Sequence, residues 1–148
     1  MNSGTCVNLE RAYFKVSIGE LLSSRRERDR GLVLVLDYDG YSFKFRRVRV
    51  LAEVLEIADR GAWTDYLLRD WSGEIVARAW EESKEVLNWA KVGDWIDVFG
   101  VVREFRGELY LVPVLASRSS RDDVERRREE IEQIRRVLIR LLGSGQER

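Results

Sequence analysis

Residues 46–116 divide into five strand-length runs separated by turn residues, with one interruption that does not alternate. Val48, Val50, Ala52 and Val54 alternate with Arg47, Arg49, Leu51 and Glu53, the period-two pattern of a strand buried on one side. Asp59-Arg60-Gly61 supplies a turn, and Ala62 to Arg69 forms a second run. Ser72-Gly73 turns into a third, Glu74 to Trp80. Residues 81–91 lose the alternation and space Val86, Leu87, Trp89 and Ala90 as a short helix would. Val92-Gly93-Asp94 breaks that helix. A fourth run extends from Trp95 to Phe105, with Gly100 at a bulge or bend, and Arg106-Gly107 turns into Leu109 to Leu115. Pro113 suits an edge or terminal position.

Three strands, a helix and two more strands is the order of the OB-fold, a partly open Greek-key barrel. A meander sandwich would also give short strands, but not the helix at 81–91. The expected fold is therefore an all-β core: a five-stranded barrel over about 46–116, with a short helix between its third and fourth strands. Upstream, Tyr13 to Ile18 and Leu32 to Asp37 look like strands, and Asp39-Gly40 is a hairpin signal leading into Tyr41–Phe45. The charged stretch 23–31 reads as a loop. This N-terminal strand and hairpin extension is expected to cap or extend the barrel within one domain over 11–118, and residues 1–10 are expected to be flexible.

A long amphipathic helix is expected over 119–143, with 144–148 as a tail. Val124, Ile131, Ile134, Leu138 and Leu141 repeat at helical spacing, and Val137 and Leu142 widen the stripe. Ser119 or Ser120, followed three residues later by Asp122 or Asp123, makes a capping box, and Gly143 can end the helix. An aliphatic stripe of this length needs cover. Either it folds back on the barrel or it joins other helices, and the second reading makes these seven residues an oligomerisation surface.

Chemistry narrows by elimination. The chain has no histidine and one cysteine, Cys6, so His-dependent triads, His-ligated metal sites and internal disulfides are excluded. No glycine-rich phosphate loop occurs, and the paired carboxylates at 122–123 and 129–130 read as the solvated face of the helix. No catalytic residue, metal site, cofactor or small-molecule substrate is expected. No apolar run approaches the ~20 residues of a membrane span, and no secretory leader is visible, so a cytoplasmic, nucleoid-associated protein is expected. Scarce Asn, Gln, Cys and Met beside abundant charge is a thermophile pattern.

Strand parity singles out candidate contacts. In the third run Ile75, Ala77 and Ala79 form the core side, leaving Arg78 and Trp80 outward. In the fourth, Arg103 and Phe105 share a parity opposite to Val102. Rings beside arginines on an outer face are what single-stranded nucleic acid uses, bases stacking on the rings and phosphates meeting the guanidinium groups. Charge tempers this reading. The whole chain is neutral, and residues 46–116 carry ten Lys and Arg against thirteen Asp and Glu, a net of −3. Phosphate neutralisation drives such binding, so the barrel alone should bind weakly. Trp71 stands in the turn RDWSG, where its ring needs cover or a partner.

The runs VRVLAEVLEI (48–57), YLLRDWSGEIVARAW (66–80) and VGDWIDVFGVVREFRGELYLVP (92–113), with the terminal helix, resemble the middle (32-kilodalton) subunit of replication protein A, especially its archaeal relatives. The resemblance covers about two thirds of the chain. It implies an OB-fold that binds single-stranded DNA weakly within a heterotrimer, with Trp80 and Phe105 at the family's two stacking positions. It also implies that the C-terminal helix joins those of the partner subunits. Ala52, where the family often has glycine, and Trp71, where it has glycine or an acid, depart from the pattern. The expected function is a non-catalytic subunit of a replication protein A-like complex in DNA replication, recombination and repair. Trp80 and Phe105 would stack bases, and Arg78, Arg103, Arg49 and Arg69 would meet phosphates. The alternative is an OB-fold interaction module, or a telomere- or RNA-binding relative, with little nucleic-acid affinity of its own.

Overall fold

The computed structural model describes residues 6–146. Its strands are β1 (Cys6–Asn8), β2 (Tyr13–Lys15), β3 (Arg25–Arg28), β4 (Leu32–Tyr38), β5 (Tyr41–Phe45), β6 (Arg47–Asp59), β7 (Trp63–Arg69), β8 (Glu74–Trp80), β9 (Trp95–Phe105) and β10 (Glu108–Ser119). The helices are α1 (Ile18–Ser23) and α2 (Val124–Gln146), with 3₁₀ turns at Glu81–Val86 and Arg121–Asp123. Strands β6, β7, β8, β10 and β9 follow one another around a barrel that closes where β9 pairs with β6. Only β8 and β10 pair in parallel within it. This is the OB-fold expected from the strand order, with the 3₁₀ turn between its third and fourth strands. Inward residues alternate as the pattern required, and Leu87 and Ala90 join them in the core. Gly100 lies opposite Pro113, where β10 bulges. A Cβ at Gly100 would sit 3.0 Å from the Val112 carbonyl oxygen, so the close approach of the two backbones favours glycine.

The N-terminal segment is more ordered than expected. Cys6–Asn8, placed in the flexible stretch 1–10, pairs in parallel with β5, while residues 1–5 lie outside the described residues. The expected strand Tyr13–Ile18 stops at Lys15 because Ser17 caps α1: its hydroxyl accepts from the Glu20 amide while the Glu20 carboxylate accepts from the Ser17 amide. The Ile18 amide donates to Asp70 at 2.8 Å and the Gly19 amide to the Ser72 hydroxyl at 2.7 Å, which seats α1 on the β7–β8 turn. Ile18 and Leu21 are fully buried there, worth about 1.5–3 kcal/mol each. The supposed loop 23–31 contains β3, an all-charged edge strand with no apolar residue to reveal it. It completes a second sheet in the order β1-β5-β4-β3. That sheet carries Phe43 and Phe45 against Phe14 of β2.

The C-terminal helix starts from the expected cap, Ser120 with Asp123, but runs through Gly143 to Gln146 instead of ending at 143; residues 147–148 are outside the described residues. It folds back along the barrel. Ile131 is buried, and Ile134, Leu138 and Ile139 pack against the core. Two arginines accompany them: Arg135, fully buried, lies 4.2 Å above the Phe14 ring and donates to Glu20 and to the Lys15 carbonyl. Arg127 donates to Asp97 at 2.6 Å. The stripe expected to face partner helices is thus divided. Ile131, Ile134 and Leu138 face their own barrel, Val124 and Leu142 are partly buried, and Val137 and Leu141 stand 40% and 65% exposed. Among the described residues no helix is long and apolar enough to cross a membrane.

Candidate nucleic-acid interface

The outer surface of the β7–β8–β10–β9 sheet carries one connected group of rings and guanidinium groups. Alternation along β8 buries Ile75, Ala77 and Ala79 and turns Val76, Arg78 and Trp80 outward. Trp80 is partly buried because Trp63 faces it across the β7–β8 ladder, their rings 4.8 Å apart. Two register positions away, on the same face, Arg78 faces Asp65 and donates to it at 2.9 and 3.3 Å. Its guanidinium also lies 4.7 Å from the Trp63 ring and 4.9 Å from Tyr110 of β10, linking the two strands. Tyr110 in turn is paired with Arg103 of β9. Two residues on, Phe105 is 56% exposed, with Arg106 5.1 Å above its ring.

The hairpin that presents Phe105 is rigidly built. Arg106 and Gly107 both have positive φ, 53° and 82°, the two-residue turn whose twist matches its flanking strands. Behind it, Arg26 and Arg28 of β3 bind Glu104, and Arg26 also donates to the Gly107 carbonyl at 2.6 Å. Hydrogen bonds from Arg28 and Arg26 hold the Glu104 carboxyl below its usual range. The N-terminal sheet therefore braces the hairpin from the face opposite to Phe105.

The parity reading of Trp80 and Phe105 as outward residues agrees with this surface, but the rings do not stand side by side. From the row Val76–Tyr110–Arg103, β8 runs one way to Trp80 and the antiparallel β9 runs the other way to Phe105, so they mark the two ends of the group. The arginines fare differently. Arg103 is exposed and has no acidic partner among the described residues. Arg78 is neutralised by Asp65. Arg49 is tied to Asp97 at 2.7 Å beneath α2, and Arg69 lies 3.4 Å from Glu53 at the other end of β7. These three expected phosphate contacts are each ion-paired within the chain. Trp63, Tyr110 and Arg106 join the group unforeseen. Counting outward from the Ser72-Gly73 turn pairs Arg69 with Glu74 and Trp63 with Trp80, so that signal was in the sequence. Trp71 is covered from within: Arg128 of α2 lies 5.4 Å over its ring, at a cleft of about 760 Å³ shared with Trp95 and Arg69.

A family model described as an OB-fold nucleic acid binding domain matches residues 48–113, from β6 into β10. Among solved structures, a chain of the S. pombe Stn1–Ten1 complex superimposes with a TM-score of 0.71 at 13% identity, covering 90% of this chain and 98% of that one. A chain of a replication protein A heterotrimer bound to single-stranded DNA gives 0.66 at 18% identity, covering 84% and 95%. A chain of yeast RPA bound to single-stranded DNA gives 0.64 at 21%, covering 84% and 90%. No curated protein matches the sequence. This is an OB-fold domain. At such identities the likeness concerns the fold.

Proposed function

We propose that the chain is a non-catalytic, replication protein A-like subunit of a complex that binds single-stranded DNA in replication, recombination and repair, and so works beside the chromosome. One observation carries this reading: Trp63–Trp80, Tyr110 and Phe105 form a ringed outer surface on which Arg103 and Arg106 have no acidic partner among the described residues. Stacked bases contribute about 1–3 kcal/mol each on such rings. The double variant Trp80→Ala/Phe105→Ala is expected to weaken oligo-dT binding by one to two orders of magnitude at low salt without unfolding the barrel. Arg103→Ala lowers the slope of log K against log salt by about 0.7, the loss of one phosphate contact on a single strand. Unchanged titrations for both variants would refute the DNA role.

Weak binding by the isolated chain fits the same surface, since Arg78, Arg49 and Arg69 spend their charge on Asp65, Asp97 and Glu53. Partner subunits of the kind the fold relatives possess would supply the rest, meeting the exposed Val137–Leu141 edge of α2. That ion pairing also favours a second reading, an interaction module with no nucleic-acid role. A salt slope near zero for the wild-type chain would decide for it.

A further inference from the structure

The outer surface does not stop at β9. Val112 of β10, Val101 of β9, Arg47 of β6 and Tyr13 of β2 are successive register partners, one row across four strands. That row lies directly beside Tyr110–Arg103. Arg47 is exposed, has no acidic partner among the described residues, and lies 5.7 Å over the Tyr13 ring. Tyr13 in turn meets Phe99 edge-on at 5.4 Å. The next outward residue of β6, Arg49, is consumed by Asp97, so Arg47 is where uncompensated charge on this strand ends. Among the described residues a cation without an acidic partner caps a ring twice, Arg106 on Phe105 at the hairpin tip and Arg47 on Tyr13 across the barrel, with Arg103 between them.

We infer that the nucleic-acid interface continues over this row onto β2, with Arg47 meeting a phosphate and Tyr13 offering a ring to a base. This rests on the single-stranded DNA reading above. From β10 to β2 the row adds about 14 Å of path, three inter-strand steps, floored by Val101 and Val112. It also gives the segment ahead of the barrel a task, because β2 is the element that brings Tyr13 to the surface. A chain of phosphates is favoured over an acidic protein segment because rings and guanidinium groups alternate along the path, as stacking and phosphate contact require.

The test is fluorescence anisotropy with labelled oligo-dT of about 5 and about 15 nucleotides, near the two ends of OB site sizes. Arg47→Ala should lower the salt slope for the long oligomer by about 0.7, and Arg47→Lys should restore it. Tyr13→Ala should weaken the long oligomer about tenfold, the loss of one stacked base, and leave the short one unchanged. Equal losses on both lengths, or no change in slope with Arg47→Ala, would overturn the extension while leaving the Trp80–Phe105 site intact. No binding of either oligomer by the wild-type chain would overturn both readings. Poly-glutamate that binds the wild-type chain more tightly than the long oligomer, and loses its grip with Arg47→Ala, would assign the row to an acidic protein instead.

Discussion

Arg135 and Glu20 should respond very unequally to substitution, because one of them is fully buried and the other is not. Arg135 has no exposed surface, while the Glu20 side chain is 21% exposed. The guanidinium donates to Glu20 at 2.8 and 3.3 Å and to the Lys15 carbonyl at 2.9 Å, and its remaining nitrogen, Nη1, has no hydrogen-bond partner among the described residues. Glu20→Ala leaves a buried cation with a single carbonyl, a change that typically costs about 3–5 kcal/mol. It also removes half of the α1 capping box, the bond from the Ser17 amide to the Glu20 carboxylate. Arg135→Met removes the cation and the orphaned nitrogen together and keeps much of the volume over Phe14, so its cost should stay below about 1.5 kcal/mol. The double variant should then be more stable than Glu20→Ala alone, since the stranded charge is gone. Urea unfolding followed by tryptophan fluorescence measures all three midpoints, and the cycle isolates the coupling. At about 2–4 °C per kcal/mol for a chain of this size, Glu20→Ala should also lower Tm by roughly 10 °C or more. If Arg135→Met costs as much as Glu20→Ala, the argument that the arginine is an ion-pair clasp is wrong.

Two further predictions concern the same helix. Val137→Glu with Leu141→Glu should abolish assembly with partner subunits in solution mass measurements while leaving the urea midpoint unchanged, because both side chains already face water; a lowered midpoint would mean they pack on the barrel. Acid should loosen α2: burial pushes the Asp97 carboxyl up, but hydrogen bonds from Arg49 and Arg127 outweigh it and hold it below its usual range. A depressed folded pKa gives stability that is complete above the unfolded value, about 3.9, and lost as pH falls through the folded one. Asp97→Asn should therefore lower stability at neutral pH and flatten its decline below about pH 4, and an unchanged acid limb would refute the assignment.

How much of this was legible beforehand depends on what each residue had to reveal. The barrel strands were visible because Val48 to Val54 and Ile75 to Ala79 alternate with a period that nothing else produces. The strand β3 was not, since Arg25–Arg28 has no apolar member; it is held by its ladder to β4 and by Glu104. The helix α1 announced itself only through Ser17 and Glu20, a capping box overlooked within an apparently strand-like run. Outward parity of Trp80, Arg78, Arg103 and Phe105 could be read locally. The pairing of Arg78 with Asp65 follows from counting back from the β7–β8 turn, whereas Arg49 with Asp97 requires the barrel to close. Arg127 and Arg135 were the least legible of all, because charged residues on a helix are ordinarily its wet face.

Those arginine pairings bear on how such a surface can act while the chain as a whole is neutral. Net charge averages over groups that are already spent: the barrel's −3 includes Asp65 and Asp97, each shared by two arginines. What a polyanion meets is the remainder, and within the ringed surface that remainder is Arg103, Arg106 and Arg47, each next to a ring. At physiological salt the Debye length is about 8 Å, so the acidic 3₁₀ turn at Glu81–Val86 opposes a phosphate only if it lies within that reach. Phosphate contacts by these three cations alone would give a salt slope of about 2 for a single strand. A measured slope well above that means that further cations are recruited, and if breaking the Asp65–Arg78 pair supplies one, Asp65→Asn, which frees Arg78 from that pair at the start, should raise affinity.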